Sequence, residues 1–345
     1  MSRISSLSVV SLTVLAISLS SCAPVNDSSK KLTFVSFGSN FQENQKKAWQ
    51  VPYTEQTGTE FRNDSPSDIA KIKTMVASKD VSWDIVGVSG ANAEKFCGEL
   101  FEKIDTSKVD TKSFTQGTTG ECGVPAYLAS LIFVYNSSKY GSNPPRKISD
   151  FFDTATYPGK RALPPQFESG VLEQALLGDG VPRESLYPLD IPRALSKLGT
   201  IKSSLVFSES YGQLQQMMVD QQVDMALMST NRTYQALKSG AKISPVWDST
   251  IISWDVLAVP KGSRNVPEAM DFISFAGQAE QQAALTELTT VGSANPKSSP
   301  KLDQLQQDMN AFSPAHEKTL VYSDVKWWAE NLDNATSLYS AWKVG

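Results

Sequence analysis

MALMSTNRTY, Met225 to Tyr234, runs as an apolar strand and passes without a spacer into the first turn of a helix. That helix starts near Thr230, a good N-cap type, and carries Arg232 in its first turn. Strand joined directly to helix is an α/β unit. A fixed cation at the joint calls for a reason.

The same construction recurs on both sides of this stretch. KLTFVSFGS, residues 31 to 39, is a strand ending in Gly38-Ser39, and Ser39-Asn40-Phe41-Gln42 matches the S-x-x-Q capping box of a helix over QENQKKAWQVPYTEQ. SWDIVGVSG, 82 to 90, is a strand ending in Ser89-Gly90, followed by a short helix over ANAEKFCGEL. GVPAYLASLIFVYN, 123 to 136, is a long apolar strand of the kind that passes between lobes. RALPPQFESG then brings Phe167 to Gly170 to another turn before the helical VLEQALLGDG. SSLVFSES and YGQLQQMMVDQQ repeat the strand and helix, and IISWDVLAVPKGS, 251 to 263, is a strand with Asp255 in an apolar setting.

Alternation of this kind predicts mostly parallel sheets covered by helices on both faces. In such sheets ligands sit beyond the carboxyl ends of the strands, where strand-to-helix loops converge. The candidate site is therefore Gly38-Ser39, Ser89-Gly90, Phe167 to Gly170, Ser208 to Tyr211, Thr230 to Arg232, and Asp255, with Phe37 and Trp254 adjoining.

Composition narrows the chemistry. With 345 residues, 40% hydrophobic and 20% charged, the chain has the make-up of a folded soluble protein and the length for two domains. Its formal net charge of -4 and lack of any basic run exclude a nucleic-acid partner. The single histidine, His316, stands in an AFSPAHEK loop and reads as a surface residue, so His-based triads and His-metal sites lose their parts. There is no GxSxG, Walker or GxGxxG sequence either, and neither metal nor cofactor is expected.

At the N-terminus, Arg3 precedes the apolar SLSVVSLTVLAISL, a run short for a bilayer span, and then Leu19-Ser20-Ser21-Cys22. This reads as an export signal over residues 1–21, and its end resembles the bacterial lipobox, whose Cys becomes an acylated N-terminus. Cys22 is then the lipid anchor and residues 22–31 a polar tether, which places the protein outside the cytoplasm, in the periplasm or at the cell surface, beside a membrane. Cys97 and Cys122 are the two cysteines left after such processing, and an oxidising compartment favours their disulfide over two buried thiols.

Taken in order, FVSFGSNFQENQKKAWQVPYTEQTGTE, WDIVGVSG, LFEKID, YPGKRAL, ALLGDGVP, LYPLDIPRAL and WDVLAVPKGS resemble the polyamine and γ-aminobutyrate class of ABC-importer solute-binding proteins. The resemblance implies a two-lobed periplasmic-binding-protein fold of type II, each lobe a mostly parallel sheet flanked by helices, with the ligand in the cleft between them. It implies chain crossings near Tyr135-Asn136, Asp255 and Ser299-Pro300, hence one lobe from 32–134 plus 256–299 and another from 135–255 plus 300–345. Hinge closure around a small molecule, then delivery by a monomer to the permease, is the implied work, without catalysis.

The chain departs from the polyamine pattern in the residues that grip diammonium ligands. Phe37-Gly38-Ser39-Asn40 stands where an acid with flanking aromatics is expected, and Gly90-Ala91-Asn92 where tyrosines are. A further acid falls by register on Gly170, with Glu168 nearby but shifted; Asp255 alone is retained. Arg232 offers a bidentate fork for a carboxylate and Asp255 an acceptor for an ammonium, which together suit a zwitterion such as γ-aminobutyrate better than putrescine or spermidine.

Plainer roles stand beside these. Arg232 would also serve as partner of an acid across the lobes, and Asp255 as partner of an internal arginine. Trp254 fits a lobe core or a cleft; Phe37, Tyr127, Phe167 and Tyr211 fit a core, and Ser39, Ser89 and Ser208 fit caps and turns. An exported hydrolase with paired carboxylates, or a lipid-anchored scaffold, are the readings from other classes.

Overall fold

The computed structural model describes residues 31–345, so the export signal, Cys22 and the tether up to Lys30 lie outside the described residues. Nine strands are described: β1 Lys31–Val35, β2 Glu60–Asp64, β3 Ile85–Ser89, β4 Val124–Asn136, β5 Arg161–Leu163, β6 Leu205–Phe207, β7 Met225–Ser229, β8 Ile243–Ala258 and β9 Leu320–Tyr322. They hydrogen-bond in the order β2-β1-β3-β8-β4-β7-β5-β6, with β9 beside β8.

Pairing is parallel where strand and helix alternate, in β2-β1-β3 and in β7-β5-β6. It is antiparallel where the two long strands meet each other and where β3 joins β8 and β7 joins β4, while β9 pairs parallel with β8. The sheet is therefore mixed and continuous rather than split into two mostly parallel sheets. The physical reason is length: β4 has 13 residues and β8 has 16, enough for each to serve both halves, one running out and the other back.

Along β8 the residues from Asp255 to Ala258 pair with β3, and along β4 those from Leu131 to Tyr135 pair with β7. Partners thus change at Ala129-Ser130 on β4, upstream of Tyr135-Asn136, and immediately before Asp255 on β8. A third link follows residue 300. There Gln306 donates to the Glu287 carbonyl on one side (2.6 Å), while Met309 is buried on the other among Ile132, Met218 and Met228.

Three apolar clusters fill the layers. One surrounds β1 and β3 with Phe34, Trp49, Trp83 and Phe272; a second gathers Phe133, Phe151, Leu172 and Trp328; the third backs β7. Arg161, within YPGKRAL, is fully buried, and its guanidinium donates to the carbonyls of Phe151, Asp153, Tyr157 and Gly159. A buried cation bound by backbone dipoles in this way fixes the loop that feeds β5.

Two N-cap positions differ by one residue from the sequence reading. The first helix begins at Ser39 with Gly38, not Ser39, as its N-cap: Gly38 has φ 72, and its N–H donates to Gln42 Oε1 at 3.0 Å. Gln42 thus performs half of the expected capping box one residue further back. Likewise Ser229, not Thr230, caps the helix Thr230–Lys238. His316 is half-buried rather than a plain surface residue, its ring stacked on Trp247 at 3.7 Å.

Cys97 and Cys122 are joined by a disulfide across a sequence separation of 25. Because the cross-link restricts the unfolded chain, the pair Cys97→Ser/Cys122→Ser is expected to lower the unfolding free energy by about 2–4 kcal/mol in a urea titration. An unchanged midpoint would show that the loop is already confined in the unfolded chain.

Candidate functional site

The site forms where β4 and β8 exchange partners. Tyr127 on β4 lies opposite Asp255 on β8, and its hydroxyl donates a short hydrogen bond to Asp255 Oδ2. Burial lifts the Asp255 carboxyl to about 6, with the Tyr127 hydrogen bond holding it down. The same burial and the same carboxylate raise the Tyr127 hydroxyl well above its ordinary value. Among the described residues Asp255 has no arginine partner, so the internal ion pair considered from sequence is absent.

Arg232 approaches from the other half. Thr230, at the start of its helix, shares a buried 2.6 Å contact between hydroxyls with Ser130 of β4, and Thr233 Oγ1 donates back to the Ser229 carbonyl. These bonds pin the first helical turn to the strand exchange. Arg232 is half-buried, and among the described residues no carboxylate pairs with it. Burial lowers its pKa, while Tyr211 and Tyr127 act the other way. A cation in the first turn of a helix also opposes the helix dipole. A charge kept there against desolvation and dipole is spare for a ligand.

The third wall is the turn Phe167–Gly170. Gly170 has φ 118, and a Cβ there would meet Ile251 of β8 at 2.8 Å, so only glycine lets the turn lie against the crossing strand. Ser169 Oγ and the Tyr211 hydroxyl are 3.2 Å apart, and Phe167 is buried with its ring stacked on Tyr339 at 4.3 Å. Between them, Glu168 lines a groove of ≈700 Å³ shared with Asn92 and Lys95. Burial pushes the Glu168 carboxyl up to about 7, and the negative charges of Asp255 and Glu173 add to the rise.

The remaining predicted residues divide. Ser89 caps its helix, accepting from the Asn92 backbone N–H (3.3 Å) and side chain (2.9 Å). Trp254 takes the core alternative: it is buried in the β1–β3 cluster, and a Cβ on Gly90 would meet its Nε1 at 2.9 Å. Ser208 is buried and donates to the Leu163 carbonyl at 2.8 Å, a bond that ties a turn. Phe37 is exposed, and Ser39 contributes the first helical backbone position. Hydrogen bonds thus join Tyr127 to Asp255 and Tyr211 to Ser169 of the 167–170 turn, and the charges of Asp255 and Arg232 both act on the two tyrosine hydroxyls.

The model of the bacterial extracellular solute-binding proteins matches residues 48–313. The chain belongs to that family. It is 30% identical to the γ-aminobutyric acid-binding protein of Pseudomonas aeruginosa over 332 residues, 94% of either chain. Its fold is similar to the solved Atu4243–GABA receptor, with 33% identity and a TM-score of 0.84 over 91% of this chain and 98% of that one. It is also similar to the PBP AgtB of A. tumefaciens R10 in complex with agropinic acid, at 30% identity and TM-score 0.81 over 92% and 99%. These neighbours are similar in fold over nearly the whole chain, and the chain shares their type II periplasmic-binding-protein fold.

Tyr127, which fits a core from sequence, is buried in the β1–β3 cluster, and what sequence reasoning missed is that strand pairing also sets it directly against Asp255. Glu168, shifted by register from the acid expected at Gly170, lies in the Phe167–Gly170 turn, and the glycine is the signal for a turn pressed against β8.

Asp255 binds its proton more tightly in the folded chain than in the unfolded one. Between roughly pH 4 and 6 the folded state then holds more protons, so stability falls as pH rises through that window. Asp255→Asn is expected to stabilise the ligand-free protein at neutral pH by about 1–3 kcal/mol and to flatten this decline. Melting curves at about pH 5 and about pH 7.5 read the effect; a variant less stable at both would show the carboxylate to be fully compensated.

Proposed function

We propose that this solute-binding protein serves an ABC importer and captures a small ω-amino acid of the γ-aminobutyrate type between its lobes. The observation that carries the reading is the pairing of one spare guanidinium, Arg232, with one buried carboxylate, Asp255, across two tyrosine hydroxyls, Tyr127 and Tyr211. Arg232 takes the ligand's carboxylate in a bidentate contact and Asp255 takes its ammonium. Lobe closure removes both contacts from water and presents one shape to the permease.

The names of the relatives support the same class: a γ-aminobutyric acid-binding protein and a GABA receptor are among them. Putrescine, the runner-up, would place a second ammonium against Arg232 at low dielectric, a repulsion the site has no acid beside Arg232 to relieve. The proposal extends to an exported, monomeric protein held at the membrane through a lipid on Cys22, acting without catalysis. In this reading the lobes meet where β4 and β8 change partners, with residues 32–134 and 256–299 mainly in one and 135–255 and 300–345 mainly in the other.

Calorimetric titration of refolded, ligand-free protein is expected to show binding of γ-aminobutyrate and none of putrescine. Arg232→Ala is expected to cost about 2–5 kcal/mol in binding with little change in the melting of the free protein. Wild-type affinity in that variant, or binding of putrescine alone, would overturn the zwitterion assignment.

A further inference from the structure

The groove that Glu168 lines has walls from both halves of the chain, and their charges are complementary. Lys73, Lys95 and Phe96 stand on one wall, which has no acid; Glu168, Asp333 and Lys343 stand on the other. One ion pair spans the gap: the Lys95 ammonium, on the helix Gly90–Lys95, meets Asp333 Oδ1 on the helix Val325–Val344. Burial lifts the Glu168 carboxyl to about 7, so the pairing falls to Asp333.

The two helices are anchored in different halves. Ser89, which caps the first, pairs in the sheet with Asp255, and Cys97, two residues past its end, is bonded to Cys122. That helix is therefore held at both ends to the half built on β1 and β3, and its Ala93 is buried in the same cluster. The second helix is docked through Trp328, Ala335 and Tyr339 in the cluster of Phe133 and Leu172. Ala91 of the first helix reaches across into that second cluster, so the ion pair flanks a packed contact between the halves.

Resting on the two-lobed binding reading above, we infer that Lys95 and Asp333 form an interlobe latch, an ion pair made in the closed clamp that raises affinity without touching the ligand. Exposed ion pairs are usually worth little, because two long side chains must be held in one geometry. Here Lys95 is held by its own half: its side chain is 17% exposed, with the ammonium 5.3 Å from the Phe96 ring centroid. Asp333 is short and 88% exposed. Lys73 lies over the same ring at 4.4 Å and has no ion-pair partner among the described residues, which adds positive charge to the wall that Asp333 meets. A pair made on closing shifts the open–closed balance and so the apparent affinity. It acts on release rather than capture, because opening must break it. A zwitterion such as γ-aminobutyrate brings no net charge, and its own buried contacts are screened little, so salt acts mainly on the exposed latch.

Calorimetry and stopped-flow tryptophan fluorescence with γ-aminobutyrate, in about 20 mM and about 300 mM sodium chloride, test the latch. Asp333→Asn is expected to bind about two- to fivefold more weakly than wild type in low salt and equally in high salt, with dissociation faster by the same factor and association unchanged. Lys95→Glu sets like charges against each other and should bind more weakly still. The double variant Lys95→Glu/Asp333→Lys should return affinity and dissociation to near wild type. Wild-type affinity and dissociation in Asp333→Asn at low salt, or no recovery in the double variant, overturns the latch while leaving the Arg232 and Asp255 reading intact. Small-angle scattering of the ligand-free proteins in low salt covers the remaining case, with Asp333→Asn expected to be more expanded than wild type. If wild type does not bind γ-aminobutyrate but that expansion is seen, the amino-acid reading falls and the latch stands; if neither is seen, both fall.

Discussion

The antiparallel pairing of β4 with β8 is the constraint on which the remainder depends. Hydrogen-bonded register runs from Val124 opposite Leu257 to Asn136 opposite Ile243, with irregularities between Pro125 and Tyr127 and between Leu131 and Phe133. Because the two strands hold one another through the whole passage, each half of the sheet can attach its own parallel strands to the same spine. The second irregularity is itself held: the buried Gln174 side chain donates to the carbonyls of Leu131 and Ser249 and accepts from the Ser249 hydroxyl at 2.6 Å. One amide thus bridges both strands at the irregularity and satisfies the backbone groups that the register shift leaves unpaired.

That spine also explains why charge can be stored where it is. A carboxylate inside an apolar strand is costly, and Asp255 is tolerated because pairing delivers the Tyr127 hydroxyl to it without any loop having to find it. The raised proton affinities of Asp255 and Glu168 and the lowered one of Arg232 all record the same fact, that these groups are partly desolvated before a ligand arrives. Folding energy from the three apolar clusters holds a site that is electrostatically unfinished by itself.

The sequence made much of this legible. Alternating strand and helix signals located the loops, and the lone Asp255 among apolar residues and Arg232 just past a strand end stood out as charges in need of a reason. Legibility failed where an outcome depends on pairing or on a neighbour's size. Nothing local in VPAYLASL says that Tyr127 faces an acid 128 residues away. Trp254 alternates with Asp255, but only the absence of a side chain at Gly90 shows which face has room for an indole. The helices begin at Ser39 and Thr230, and the residue before each one, rather than these two, takes the N-cap position. In the first case, glycine's freedom at positive φ gave it the place.

The end of the chain bears on the site as well. The helix Val325–Val344 is docked by Trp328, whose Nε1 donates to the buried Glu173 at 2.8 Å, and by Tyr339, stacked on Phe167 beside Glu168. Further along the same helix surface, Asp333 pairs with Lys95 of the helix Gly90–Lys95, whose N-cap, Ser89, pairs with Asp255 in the sheet. One element therefore braces the turn that carries Glu168 and touches the helix that follows β3. Neither Phe167 nor Lys95 can shift without moving a contact of the same helix, so the turn after β5 and the helix after β3 are tied through one element at the end of the chain.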